Sequence, residues 1–206
     1  MATAERLFAE QGYHGTRLHQ IAAAVGIQKA SLFHHFAGKE DLHRAVLQHS
    51  ALETGRTVEA TLGQRGSFPE RLRLLVSAYV DLVAAHPARM RMFLRQCLDG
   101  SPVSAAVERE FGPLLSLVVG FVEEGQRARV FRPLDATAFV LSVVGVAAFL
   151  LTSAAAVAPA WTAEVASRSS LGAAVKHFLT ELAERALLEG AEPAPAGRAR
   201  PVAVSA

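Results

Sequence analysis

The run from Gly15 to Lys39, GTRLHQIAAAVGIQKASLFHHFAGK, decides the reading of this 206-residue chain. Leu18, Ile21, Ala22 and Val25 fall at i, i+3, i+4 and i+7, one face of a helix. Thr16 stands just before it, where a hydroxyl caps free backbone N–H groups. Gly26 follows Val25, where a left-handed residue ends a helix cheaply, and Ile27 is expected to plug the turn. A second helix then starts near Gln28, with Leu32 and Phe36 on its inner face. Ala22 and Gly26 leave room for the two helices to cross closely, the geometry of a helix-turn-helix. The outer face of the second helix carries Gln28, Lys29, Ser31 and His34. These hydrogen-bonding groups suit base edges and phosphates in a DNA groove.

The pattern extends on both sides. Leu7-Phe8-Ala9-Glu10, Gly12-Tyr13, Gly15-Thr16, Ile21-Ala22, Val25-Gly26-Ile27, Leu32-Phe33-His34-His35-Phe36 and Lys39-Glu40-Asp41-Leu42 follow at fixed spacing. With these residues the first quarter of the chain resembles the DNA-binding domain of the TetR family of transcriptional regulators. The LFHHF-x-GKEDL sequel makes the resemblance specific, because a helix-turn-helix pattern alone has many false positives.

The resemblance implies DNA contacts residue by residue. Thr16 and Arg17 fall at the start of the second helix, where a hydroxyl and backbone N–H groups meet phosphate. Lys39 matches a phosphate-binding lysine, and His35 a histidine near the phosphate or supporting the recognition helix. Phe33 replaces the usual tyrosine and loses its hydroxyl. Gln28 stands where serine or threonine often caps the recognition helix; its amide can instead read adenine. Lys29, Ala30 and Ser31 fall where family members contact bases, with His34 beside them. Lys29 suits guanine or a phosphate equally well. The first helix is short: Ala4, Leu7 and Phe8 give two turns of inner face before Gly12, whereas family members usually begin several residues earlier. Either the true start lies upstream or the first helix works in shortened form.

Composition supports an all-helical chain, with 51% hydrophobic residues and little strand-like alternation. The formal charge of only +2 excludes a generic polyanion binder. Charge distribution matters more. Residues 1–50 hold Arg6, Arg17, Lys29, Lys39 and Arg44 against Glu5, Glu10, Glu40 and Asp41, with histidines at 14, 19, 34, 35, 43 and 49. Histidines beside phosphates gain protons, so DNA affinity is expected to rise below neutral pH. The single cysteine, Cys97, rules out an intrachain disulfide and a cysteine-based zinc site. Its expected place is the core, on a face with Met90, Phe93 and Leu94. The charged, amphipathic start does not read as a signal peptide, so the expected location is cytoplasmic.

The expected domains are 1–50 for DNA binding, 51–190 for effector binding and dimerisation, and 191–206 as a disordered, proline-containing tail. Leu72, Leu75, Val76, Tyr79, Val80 and Val83 mark an amphipathic helix that ends at His86-Pro87. Asp99-Gly100-Ser101-Pro102 is a break. A helix from about Ser104 to Arg127 follows, with Pro113 as a possible kink. Residues 136–163 carry no charge or histidine. On length this is a transmembrane candidate; a helix buried on all faces gives the same signal. A final helix is expected from Ser167 to Glu189.

No nucleophile elbow, phosphate loop or dinucleotide fingerprint appears, so no catalytic residues, cofactor or metal site are assigned. The family resemblance implies a homodimer on double-stranded operator DNA, joined through the last two long helices, with no membrane partner. It further implies a repressor released by a small-molecule effector. The helices from 68 to 127 would enclose a largely apolar ligand. Tyr79, Arg91, Arg95 and Gln96 are the polar candidates to hold it. Two other readings remain at this point: a helical interaction protein without DNA binding, and a membrane-associated helical protein.

Overall fold

A computed structural model describes residues 1–99 and 102–188, and all the regular structure among them is helical. The break at Gly100-Ser101 and the tail 191–206 lie outside the described residues.

Helix α1 spans Ala2–Gly15 and buries Ala4, Leu7 and Phe8. Its backbone leaves the helical region at Gly12. Helices α2 (Leu18–Ala24) and α3 (Lys29–His35) form the predicted helix-turn-helix. Gly26 has φ 73°, a conformation costly for any residue with a Cβ. It lets the Gly26 N–H reach Ala23 O and the Ile27 N–H reach Ala22 O, which satisfies the last carbonyls of α2. Two residues of the expected inner face are outside: Val25 is 44% and Ile27 41% exposed. The turn is held by its backbone bonds, while Ile21, Ala22 and Leu32 supply the buried contacts.

Helix α4 (Lys39–Leu62) runs unbroken through residue 50, so the expected boundary falls inside a continuous helix. Helix α5 (Phe68–Ala85) begins with Ser67 and Glu70 in a capping box. Helices α6 (Pro87–Asp99) and α7 (Pro102–Arg127) follow, with Pro113 inside α7. Asp135 caps α8 (Ala136–Thr152) by accepting from the Ala138 N–H at 2.9 Å. The apolar stretch is not one helix. It divides into α8, α9 (Ala154–Val157) and the start of α10 (Pro159–Arg168), and α11 occupies Leu171–Leu188. Ser153 and Pro159 are the interruptions. Among the described residues no helix is long and apolar enough to cross a membrane.

Two apolar clusters organise the molecule. One joins α5, α7, α8 and α11 around Val80, Val122, Ala147 and Leu179. The other centres on Phe8, Val46 and Leu47 and takes in Met92 of α6 and Val107 of α7. The helix-turn-helix unit therefore shares its core with two helices of the larger unit. Helix α6 turns Met92 and Gln96 inward against α1, and Cys97 is exposed, which corrects the expected buried face.

Candidate DNA-binding face and ligand cavity

The buried Leu32 anchors α3 on one side. Gln28, Lys29, Ala30, Ser31, Phe33, His34 and His35 are exposed on the rest of its surface. Gln28 is the N-cap residue, without a cap bond from its side chain, so its amide remains directed to solvent. The Lys29 ammonium lies 5.5 Å from the centre of the Phe33 ring, a cation–π contact that leaves both at the surface.

Thr16 departs from its expected role. It is fully buried, and its hydroxyl donates to Gly12 O at 2.7 Å and Leu7 O at 3.1 Å. Its N–H is also bound to Gly12 O. It ties the end of α1 together and offers neither group to a phosphate. The N-cap of α2 is the exposed Arg17, whose N–H donates to Gln20 Oε1 at 2.9 Å. Lys39 sits 4.5 Å from the Tyr13 ring centre and donates to Thr16 O at 3.1 Å and His14 O at 3.3 Å. It clamps the start of α4 to the link between α1 and α2.

His43, which sequence reasoning grouped with phosphate-facing histidines, is buried between α1 and α6. Phe8 and Tyr13 meet its ring edge-on. Its Nε2 accepts from the Gln96 amide. Burial first, and the Lys39 charge second, push its pKa down to about 4. A neutral ring fits that place, and burial keeps it from any phosphate at the surface.

In the larger unit, α4, α5, α6, α7 and α8 enclose a cavity of about 350 Å³. Its wall is mostly Leu, Val and Phe, with Thr54, Tyr79, His86, Arg89 and Glu108 as the polar members. Of the four expected polar candidates only Tyr79 lines it. Gln96 is turned to His43, and Arg91 and Arg95 are exposed outside. The arginine in the wall among the described residues is Arg89, which is not one of the expected candidates. Arg89, Met92 and Gln96 stand at i, i+3 and i+7, a spacing that places them on one face of α6. Among the described residues, Tyr79 Oη and Arg89 Nη1 are buried without hydrogen-bond partners. Burial pushes the Tyr79 phenol up, so it stays protonated. A wider depression between α5 and α11 is an open groove, and its cations are engaged: Arg73 with Glu184, and Lys176 with Asp81 at 2.6 Å.

Residues 1–46 match the model of bacterial regulatory proteins of the tetR family, and residues 69–181 match the tetracyclin repressor-like C-terminal domain. The chain belongs to the TetR family. Its helix-turn-helix unit and its larger unit are thus each recognised separately in this TetR-family chain. Among curated relatives, the HTH-type transcriptional regulator RutR of Escherichia coli K12 is 28% identical over 131 residues, 60% of each chain. The HTH-type transcriptional activator FasR of Mycolicibacterium smegmatis is 31% identical over 106 residues, 52% of this chain and 48% of FasR. The matches thus span roughly half to three-fifths of these relatives' length. The fold is shared with FadR from Bacillus subtilis in complex with stearoyl-CoA. That pair has a TM-score of 0.70 at 18% identity, covering 89% of this chain and 95% of FadR.

Proposed function

We propose that this TetR-family chain is a DNA-binding repressor that leaves its operator when a small, largely apolar ligand fills the cavity between α4 and α8. The observation that carries the reading is the outer surface of α3. One buried leucine holds the helix, and its remaining polar side chains face solvent. A short helix so displayed fits the major groove, where Gln28, Lys29 and Ser31 read bases and His35 and Arg17 approach the backbone. Lys39 meets phosphate with the N–H it has left, while its other bonds fix its position.

The protein acts as a homodimer in the cytoplasm, where operator DNA is found. Leu141 and Phe149 of α8, and Phe178 and Leu182 of α11, are large apolar side chains exposed on the single chain. Covering them with the same helices of a second copy gives a four-helix contact and places two α3 helices for two half-sites. The stearoyl-CoA complex of the fold relative FadR, together with the apolar wall here, supports an apolar effector.

The test is retention of random genomic fragments by the purified protein, followed by sequencing and titration of salt. Repression predicts an enriched, roughly palindromic site whose binding weakens steeply with salt. Absence of any enriched site from a folded dimer would refute the reading.

A further inference from the structure

Among the described residues the cavity wall holds one arginine, and that arginine is already paired with two carboxylates. Arg89 Nε donates to Glu5 Oε2 at 3.2 Å, and Nη2 donates to Glu53 Oε2. Glu108 also lines the cavity. Two carboxylates on one guanidinium leave a negative surplus, so a third anion entering beside Arg89 meets net repulsion as well as the cost of losing its water. The guanidinium nevertheless keeps an unused donor: Nη1 is buried without a partner among the described residues. So does Tyr79 Oη, on the α5 wall of the same cavity. Buried donors of this kind are rare in folded proteins and carry a desolvation cost until an acceptor meets them. The acceptor that fits an apolar cavity with two spare donors and a negative surplus is an uncharged oxygen.

We infer that the effector is a neutral, carbonyl-bearing apolar molecule, a ketone, ester, thioester, lactone or amide, whose oxygen accepts from Arg89 Nη1, Tyr79 Oη or both. The assignment rests on the cavity being the effector site, and it narrows that reading to a class of head group. The apolar body lies among the leucines, valines and phenylalanines of α5, α7 and α8. A carboxylate of the same length is excluded by Glu5 and Glu53. A cationic head is drawn by the negative surplus but brings no lone pair, so it leaves both donors buried and unpaired.

Three probes of one chain length separate these cases: decan-2-one, decanoate and decylammonium, titrated into the full chain at pH 7.5 with calorimetry. The ketone is expected to bind at least about tenfold more tightly than either ion, the difference expected when a charge is buried without a partner. Tyr79→Phe is expected to weaken ketone binding by about two- to tenfold, the loss of one hydrogen bond, with decanoate no tighter than before. That variant deletes only the phenol oxygen and keeps the ring in the wall, so folding is retained and can be checked by its thermal transition. Decanoate or decylammonium binding as tightly as the ketone would overturn the head-group assignment and leave the cavity reading standing. Binding of none of the three would remove both.

Discussion

Arg89 of α6 and Glu5 of α1 meet at 3.2 Å, with side chains only 12% and 10% exposed. The pair joins the wall of the cavity to the first helix of the helix-turn-helix unit. The same guanidinium reaches Glu53 on α4, the helix that passes from one unit into the other. A ligand that draws on Arg89 therefore acts on α1 and α4 together. Such a link transmits a signal only if the ligand favours one arrangement of the pair over the other.

Glu5→Gln tests the link. It keeps the size of the side chain and removes the charge that holds Arg89. Denaturant unfolding is expected to show a loss of about 1.5–3 kcal/mol, the range for a hydrogen bond to a charged group. DNA binding without ligand should persist, while release by ligand should weaken. Unchanged release with full ligand affinity would show that the signal takes another path.

The acid response of the fold should come from His43. In the unfolded chain an imidazole takes up its proton near pH 6.5. In the folded protein it does so only near pH 4. Between those values the unfolded state holds more protons. Stability from this group is complete above about pH 6.5 and falls as pH drops toward 4, by up to about 1.4 kcal/mol per pH unit. Urea midpoints measured from pH 4 to pH 8 should show that slope, and His43→Leu should flatten it, lowering stability near neutral pH because Gln96 loses this acceptor and closing the gap to the parent as pH falls toward 4.

Lys29 and Lys39 should separate by stability as well as by DNA binding. Lys29→Ala removes an exposed side chain and should leave unfolding unchanged, within about 0.5 kcal/mol. Lys39→Ala removes the clamp to Thr16 O, His14 O and the Tyr13 ring, at a cost of about 1–2 kcal/mol. Both should weaken operator binding and lower the salt slope by about one phosphate's share if each contacts the backbone. Relaxed sequence preference in Lys29→Ala alone would mark Lys29 as a base reader.

The dimer surface is tested by Phe178→Glu. The side chain is half exposed on α11, so the substitution is expected to cost the single chain little, which its thermal transition checks. Gel filtration should show the variant shifted to a monomer, with operator affinity reduced at least about tenfold because the two half-sites are no longer bound together. A dimer of unchanged stability would place the interface elsewhere.

Gly125 gives an independent check on the core of the larger unit. A Cβ there would lie within 2.1–2.8 Å of the Phe131 ring. Phe131 packs edge-on to both Phe68 and Phe121, so it has little room to retreat. Gly125→Ala should cost about 1–3 kcal/mol in thermal or urea unfolding, the usual price of overpacking.

The helix-turn-helix was legible in sequence because its signals are local. A glycine at the turn and a buried leucine on α3 stand at spacings set by the helix period. The inner face was less legible where backbone bonds hold the turn, as at Val25 and Ile27. Thr16 read as a cap because a threonine before a helix usually is one; here a hydroxyl bond back to Gly12 O takes it inside. The face of α6 was misread for a different reason. Apolar residues at 90, 93, 94 and 97 form a plausible stripe, yet the buried members are Met92 and Gln96. Gln96 is inside because His43, 53 residues earlier, meets it, and no local pattern contains that contact. Arg89 was overlooked in the same way, since its two carboxylates come from α1 and α4. The apolar run after residue 136 exceeded one helix because Ser153 and Pro159 break it, which hydropathy by itself does not register.

The most direct measurement is a mobility shift on the site enriched from genomic fragments, made with the purified protein at low and at moderate salt. The account predicts a discrete complex that forms at low salt, weakens as salt rises and is lost when the three exposed side chains Gln28, Lys29 and Ser31 are all replaced by alanine. A correctly folded dimer that binds the site as well after that replacement, or that binds no fragment at any salt, would contradict it.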